Sequence, residues 1–75
     1  MPTEAGRNVL IFLLQHGNHV PSVIAESCDL NPKYVSQLLN DLESEGYVER
    51  LGGGVWGLTP SGVSMAQSIV RERDV

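Results

Sequence analysis

Three prolines that suit the start of a helix divide this chain of 75 residues into short segments. Pro21, Pro32 and Pro60 each precede a stretch in which apolar residues recur at helical spacing. Proline fits the first position of a helix because its missing N–H would have no partner there. Asn31 and Thr59 add side chains that can accept a hydrogen bond from the exposed N–H groups of the first turn. The pattern predicts helices that begin near residues 21, 32 and 60.

A helix predicted before these is apolar around nearly its whole circumference. Thr3 can cap its start, residues 9–14 are all apolar, and Gly17 ends it. A surface helix needs only one buried stripe, so two faces of this helix must be covered. Either later elements of the chain cover both faces, or a second copy covers one of them. We expect a homodimer through the first and last helices. The expected contacts are Ile11, Leu14, Met65 and Ile69.

The spacing of apolar residues then changes from helical to strand-like. Four apolar residues share one face of the helix that begins at Pro32, and Gly46 ends that helix. Residues 47–51 alternate loosely, residues 52–54 are all glycine, and residues 55–58 contain aromatic and β-branched side chains. Two short runs around a glycine turn predict a β-hairpin, with Trp56 in its core or in an interface.

The predicted order is therefore three helices, a two-stranded hairpin and a last helix. This is a mainly α fold with a small β-hairpin, in a single domain over residues 1–75. The second and third helices, joined by a tight turn at residues 29–31, form a helix-turn-helix. The polar face of the later helix fits the major groove of DNA, which is about 12 Å wide and admits one helix.

Several segments of the chain resemble winged helix-turn-helix transcription regulators. Residues 24–39 are similar to the helix-turn-helix of these proteins. LESEGYVER, residues 42–50, resembles their L-x-x-x-G-h-h-x-R passage into the wing, where h is apolar. LTPSG, residues 58–62, resembles their L-T-x-x-G step into the last helix. The likeness runs from about residue 7 to residue 70. It is to MarR-like and PadR-like domains, and closest to haloarchaeal phage-repressor-like domains.

This resemblance implies sequence-specific binding of double-stranded DNA by a transcription regulator, most simply a repressor. A recognition helix over about residues 32–45 would enter the major groove. A wing over about residues 47–58 would lie on the adjacent backbone or minor groove. The residues expected to contact DNA are Ser22, Asn31, Lys33, Tyr34, Ser36, Gln37, Asn40 and Arg50.

Each residue type suggests its own contact. Gln37 and Asn40 can read adenine edges through two hydrogen bonds, and Lys33 can bind phosphate or guanine. Tyr34 and Ser36 can donate to phosphate oxygens. Near the hairpin, Arg50 can enter the minor groove or bind its phosphates. Its alternative is a salt bridge to Glu49 or Glu45. Related regulators often have a Thr or Ser cap before the second helix, where this chain has Val20, so we expect Ser22 to supply the phosphate contact there instead.

The charge of the chain opposes this function. Nine acidic residues face five basic ones, for a net charge of −4, whereas DNA-binding domains usually carry a basic face. The cations can be concentrated on one face, or the host can be a halophilic archaeon in which acidic surfaces are general. The alternative function is a winged-helix adaptor that binds proteins through an acidic surface and reads no DNA.

Other function classes find little support in the sequence. It has no catalytic motif, and the glycine triplet lacks the Lys-Ser/Thr of a nucleotide-binding loop. His16 and His19 have no clear third ligand, so we expect no metal or cofactor. Cys28 lies on an apolar helical stripe and is expected to be a buried structural thiol. No segment is apolar for long enough to span a membrane, so we expect a cytoplasmic protein that is not an enzyme.

Overall fold

A computed structural model describes residues 3–73, which form four helices and one hairpin in the predicted order. The elements are α1 (Glu4–His16), α2 (Pro21–Cys28), α3 (Pro32–Ser44), β1 (Val48–Gly52), β2 (Val55–Leu58) and α4 (Pro60–Arg73). The mainly α winged helix fold is confirmed. The recognition helix and the wing lie within a residue or so of the predicted ranges 32–45 and 47–58.

Side-chain caps begin three of these helices, as the sequence predicts. Thr3 Oγ1 accepts a hydrogen bond from the N–H of Gly6 at 3.1 Å, and Asn31 Oδ1 accepts one from the N–H of Lys33 at 2.8 Å. Thr59 Oγ1 accepts from the N–H of Gly62 at 3.1 Å. Each cap satisfies an N–H group that has no partner within its helix.

The turn between α2 and α3 depends on a single residue in the left-handed conformation. Asp29 has φ 56° and ψ 49°, a region that Asp and Asn tolerate better than most residues. Its conformation allows the N–H of Leu30 to bond the carbonyl oxygen of Ala25 at 2.9 Å, which closes the end of α2. Asn31 follows at once as the cap of α3. The short connection therefore sets the angle between the two helices.

The hairpin pairs β1 with β2 in antiparallel register. Val48 lies opposite Leu58, and Arg50 lies opposite Trp56, with an irregularity between Arg50 and Gly52. All three glycines of the turn, residues 52–54, have positive φ values between 59° and 95°. Other residues rarely adopt such values, which explains why the turn consists of glycine alone.

A backbone bridge that the sequence did not reveal attaches this hairpin to the helices. The N–H of His19 donates to the carbonyl oxygen of Trp56 at 3.1 Å, and the N–H of Trp56 donates to the carbonyl oxygen of His19 at 2.9 Å. The connection between α1 and α2 thus pairs with β2 as a one-residue third strand. The side chain of Trp56 is 7% exposed, so its predicted place in the hairpin core is confirmed.

Helix α1 lies at the centre of the hydrophobic core. Val9 and Leu10 are fully buried, and Phe12 and Leu13 nearly so. Among helix pairs, α1 and α4 have the most extensive contact, and α1 also packs against α2, α3 and β2. The chain's own later elements therefore cover most of the circumference of α1, which was the first of the two explanations for its apolar sequence.

This packing corrects one of the expected dimer contacts. Ile69 is only 4% exposed and lies in the core of its own chain, because α4 turns this side chain towards α1. The prediction that Ile69 contacts a second copy is therefore wrong for this conformation. Ile11, Leu14 and Met65 are partly buried at the margin of the core.

Cys28 is partly rather than fully buried. Its thiol lies 3.9 Å from the carbonyl oxygen of Asn8, to which it can donate. Burial raises the pKa of the Cys28 thiol, because an apolar setting disfavours the charged thiolate. The thiol is therefore less reactive than an exposed one, in agreement with a structural role.

Within residues 3–73, no helix combines the length and the hydropathy that a membrane span requires.

Gly62 allows α4 to pack closely against the backbone just before β1. A Cβ atom at this position would overlap the backbone carbonyl oxygen of Tyr47, which also accepts a hydrogen bond from the N–H of Thr59 at 3.1 Å.

We expect Gly62→Ala to lower the free energy of unfolding by about 3 kcal/mol, because backbone must move to admit the methyl group. Ser61→Ala, at an exposed neighbouring position, should change it by less than about 0.5 kcal/mol. Urea denaturation followed by circular dichroism measures both, and equal midpoints would contradict the proposed close contact.

Candidate nucleic-acid interface

Helix α3 has one buried face and one polar face. Val35, Leu38, Leu39 and Leu42 are at most 6% exposed and pack into the core. The opposite face is exposed and carries Lys33, Ser36, Gln37 and Asn40. These four residues follow the spacing i, i+3, i+4 and i+7, which places them along one line of the helix surface. We call them the α3 polar face.

The first turn of α3 presents two further exposed side chains. Tyr34 is 42% exposed, unusually open for an aromatic residue. Asn31 is exposed too, but its Oδ1 is already bonded to the N–H of Lys33. Asn31 is therefore first a helix cap, and its amide NH₂ group is the part of the side chain with no bond in the described residues. Because a helix N-terminus carries partial positive charge, the turn next to Lys33 suits an anion.

Ser22 lies apart from the α3 polar face. It is exposed in the first turn of α2, and no hydrogen bond links it to α3 in the described part of the chain. Val20, the residue before that helix, makes no side-chain cap, as its apolar side chain predicts. The N–H of Val23 bonds the carbonyl oxygen of Val20 at 3.1 Å, and Pro21 has no N–H. The N–H of Ser22 therefore remains open to another acceptor.

Arg50 joins the hairpin to the end of the α3 polar face. Its Nη2 donates to Asn40 Oδ1 at 2.8 Å, and its Nε lies 3.4 Å from both carboxylate oxygens of Glu43. The guanidinium carbon lies 4.8 Å from the ring centroid of Trp56, within the range of a cation–π contact. We call Asn40, Glu43, Arg50 and Trp56 the Arg50 cluster.

This cluster corrects the expected salt bridge of Arg50. The sequence suggested Glu49 or Glu45 as the partner, since both lie close along the chain. The structure gives Glu43 instead. Glu49 directly precedes Arg50 in β1, and its side chain therefore points to the opposite face of the strand from that of Arg50. No local signal identifies Glu43, because the contact depends on how the hairpin folds back against α3.

Charge changes sign along α3. Lys33 stands near its start, and Arg50 lies beside its middle through Asn40. Its second half carries Asp41 and Glu43, and Glu45 caps its end. The tip of the hairpin, residues 52–54, carries no charged side chain. Any polyanion that binds here is therefore attracted by Lys33 and Arg50 and repelled by the carboxylates in the second half of α3.

One hollow lies in the hairpin and another between α1 and α2. A hollow of about 160 Å³ in the hairpin is lined by Arg50, Gly52, Gly54, Val55 and Trp56. A more open groove of about 350 Å³ lies between α1 and α2 and includes Phe12 and Cys28 in its walls.

The two histidines near this groove pack on an aromatic ring. His16 and His19 lie 4.8 and 5.2 Å from the ring centroid of Phe12. Among residues 3–73, no group of His, Cys, Asp and Glu side chains is arranged to hold a metal ion.

Comparison with known proteins yields one family and a consistent set of structures. A family model described as winged helix-turn-helix DNA-binding matches residues 3–49, which run from the cap of α1 into β1. No curated protein matches the chain by sequence.

The solved structures that resemble the chain include three regulators from bacteria. A MarR family regulator from Neisseria meningitidis has a TM-score of 0.86 and 22% identity, over 96% of this chain and 55% of that one. MepR, a transcription regulator of the Staphylococcus aureus multidrug efflux pump MepA, has a TM-score of 0.87 and 24% identity, over 96% of this chain and 58% of that one. A MarR family protein from Mycobacterium tuberculosis has a TM-score of 0.83 and 25% identity, over 96% of this chain and 56% of that one. The chain thus spans little more than half the length of these structures.

The double position of Asn31, beside the α3 polar face and in a cap, can be tested by stability. We expect Asn31→Ala to lower the free energy of unfolding by about 1 kcal/mol, because the N–H of Lys33 loses its acceptor. Asn31→Ser should restore most of this, since serine caps nearly as well. Lys33→Ala, which removes a side chain without a cap, should stay within about 0.5 kcal/mol of the original chain. The measurement is urea denaturation. If the alanine and serine variants at position 31 were equally stable, the cap would not be the function of that side chain.

Proposed function

This chain belongs to the winged helix-turn-helix DNA-binding family, and we propose that it binds double-stranded DNA in the cytoplasm to regulate transcription, most simply as a repressor. That family is a DNA-binding class rather than an enzyme class. The observation that carries the proposal is the α3 polar face, which is exposed, lies opposite the buried face of the same helix, and begins at a capped, positively polarised end. A single helix with such a face fits the major groove.

In this proposal, the first half of α3 enters the groove. Gln37 lies at the middle of the α3 polar face and has no hydrogen-bond partner in the described chain, so both ends of its amide are available to an adenine edge. Lys33 lies one turn earlier and binds a phosphate or guanine. Tyr34 and Ser36 flank these two and donate to phosphate oxygens.

Asn40 has a different proposed part from the one that the sequence suggested. Its Oδ1 accepts the hydrogen bond from Arg50, and a two-bond contact with adenine needs that same oxygen. We therefore assign it to the support of Arg50, which keeps the guanidinium close to α3. Arg50 then binds the backbone beside the groove that α3 enters, and the glycine tip lets backbone N–H groups approach a phosphate.

The acidic charge of the chain limits how it lies on DNA. Asp41 and Glu45 would be repelled by phosphate, so the C-terminal end of α3 lies away from the DNA backbone, beyond the contact that Arg50 makes. The hydroxyl and the open N–H of Ser22 at the start of α2 offer a further phosphate contact, since a helix N-terminus favours anions. The few cations then act at the centre of the interface rather than over a basic surface.

We expect Lys33→Ala and Gln37→Ala to weaken binding for different reasons. The glutamine variant loses base recognition worth about 1–3 kcal/mol on the preferred sequence. The lysine variant loses a phosphate contact on every sequence, with a salt dependence shallower by about one counterion. The measurement is fluorescence anisotropy with duplexes from the upstream region of the chain's own gene, over a wide range of salt.

Matched controls lie on α4. Gln67→Ala removes the same amide as Gln37→Ala, and Arg71→Ala removes one positive charge as Lys33→Ala does. Both positions are exposed and lie outside the proposed interface, so each variant should change the affinity less than twofold. If neither α3 variant weakened binding, the assignment of α3 would be overturned. If the chain bound no duplex at any salt concentration, the protein-binding adaptor would replace the DNA-binding function.

We also propose that the functional unit is a homodimer. Winged helices that read DNA sequences commonly pair so that two recognition helices meet two half-sites. Ile11, Leu14 and Met65 are the apolar side chains of α1 and α4 that remain partly exposed at the margin of the core. Ile69 is buried in its own chain and has no part in this interface.

The dimer proposal predicts a mass that depends on concentration. Sedimentation equilibrium should give a species of twice the chain mass, and Ile11→Glu should shift it to the monomer because a charge would enter an apolar contact. Val23→Glu, at an exposed apolar position on α2, is the control and should leave the mass unchanged. A monomer for the original chain at all concentrations tested would contradict the proposal.

A further inference from the structure

The Arg50 cluster brings an acidic side chain onto the surface that is proposed to bind phosphate. Both partners are accessible, since the side chains of Arg50 and Glu43 are 62% and 40% exposed. The contact with Glu43 is loose. One nitrogen, Nε, lies 3.4 Å from each of the two carboxylate oxygens, whereas Nη2 lies 2.8 Å from Asn40 Oδ1.

The guanidinium is therefore held firmly by some of its neighbours and weakly by one. Asn40 holds one corner, and the ring of Trp56 lies beneath the guanidinium plane at 4.8 Å. Trp56 is itself fixed by its burial and by its backbone bridge to His19. Nη1 has no hydrogen bond within residues 3–73, so two of the donor hydrogens of Arg50 are available to another acceptor.

An exposed ion pair of this kind contributes little to stability, typically about 0.2–1 kcal/mol. The ion pair matters more for the affinity towards a polyanion than for stability, because the negative charge of Glu43 cancels the positive charge that Arg50 presents. A phosphate oxygen competes with the carboxylate for the same guanidinium, and arginine binds phosphate in two-bond geometry. The pair is thus a contact that can be exchanged at low cost.

We propose that Glu43 limits the affinity for DNA by occupying Arg50 in the unbound protein. On binding, the guanidinium exchanges the carboxylate of Glu43 for a backbone phosphate oxygen, while Asn40 and Trp56 keep it in place. This inference rests on the proposed DNA-binding function. It gives a role in DNA binding to Glu43, an acidic residue that the sequence pattern did not place in the interface.

The chain contains a matched control for the charge of Glu43. Glu49 is also an exposed glutamate, it precedes Arg50 directly, and it makes no ion pair within the described residues. Its side chain lies on the other face of β1. Glu49→Gln and Glu43→Gln therefore change the net charge equally, and only Glu43→Gln removes the competitor of Arg50.

The experiment compares five proteins on one duplex that the original chain binds: the original, Glu43→Gln, Glu49→Gln, Arg50→Gln and the double variant Glu43→Gln/Arg50→Gln. We expect Glu43→Gln to bind about 2- to 5-fold more tightly than the original, the range that an exposed ion pair allows. Glu49→Gln should gain less than about 1.5-fold. When Arg50 is already glutamine, the gain in affinity from Glu43→Gln should fall to that of Glu49→Gln, because no guanidinium is left for which Glu43 and phosphate compete.

The salt dependence of binding distinguishes exchange from positioning. Arg50→Gln should reduce the slope of log K against log salt by about one counterion, whereas Glu43→Gln should leave the slope unchanged, since Arg50 still reaches its phosphate. Thermal unfolding by circular dichroism confirms that each variant is folded. Glu43→Ala repeats the test with a residue that favours helix.

Three results would overturn the inference. Weaker binding by Glu43→Gln with a reduced salt slope would mean that Glu43 positions Arg50 for DNA. A gain equal to that of Glu49→Gln, or a gain that persists without Arg50, would reduce the role of Glu43 to its net charge. Absence of binding by the original chain would instead contradict the proposed function itself, so the two failures can be told apart.

Discussion

The burial of α1 is the constraint on which the other elements depend. Its apolar side chains form the surface against which α2, α3, α4 and β2 all pack, and Val9 and Leu10 lose all contact with solvent. Because the apolar face of α3 is buried in this core, its polar residues must point outwards. The candidate interface is thus a by-product of the packing that makes the chain fold.

Two backbone connections then orient the hairpin relative to α3. The bridge between His19 and Trp56 attaches β2 to the connection after α1, and Thr59 bonds the backbone of Gly46 and Tyr47 where the hairpin begins. With β2 and the base of the hairpin held in this way, Arg50 of β1 reaches Asn40 on α3. The cluster that it forms there depends on elements far apart in the sequence, although its members lie on the surface.

Features that act over a few residues could be predicted from the sequence, and features that depend on distant residues could not. Thr3, Asn31 and Thr59 cap helices because their partners lie two or three residues away. The glycine triplet predicts its own turn for the same reason. The salt-bridge partner of Arg50 and the burial of Ile69 depend on how whole elements dock, which local patterns do not contain. The resemblance to winged helices supplied the fold, but it could not show that Asn40 is already bonded to Arg50.

The position of β1 at the edge of the sheet determines whether another molecule can pair with the hairpin. One side of β2 pairs with β1 and the other with His19, so β1 has the open edge in the described structure. Open edges invite strands from neighbouring molecules, and proteins guard them with charges and irregular pairing. β1 has both, with Glu49 and Arg50 side by side and an irregularity after Arg50. The open edge of β1 is therefore protected against pairing with a strand of a neighbouring molecule, and the hairpin stays a two-stranded unit of its own.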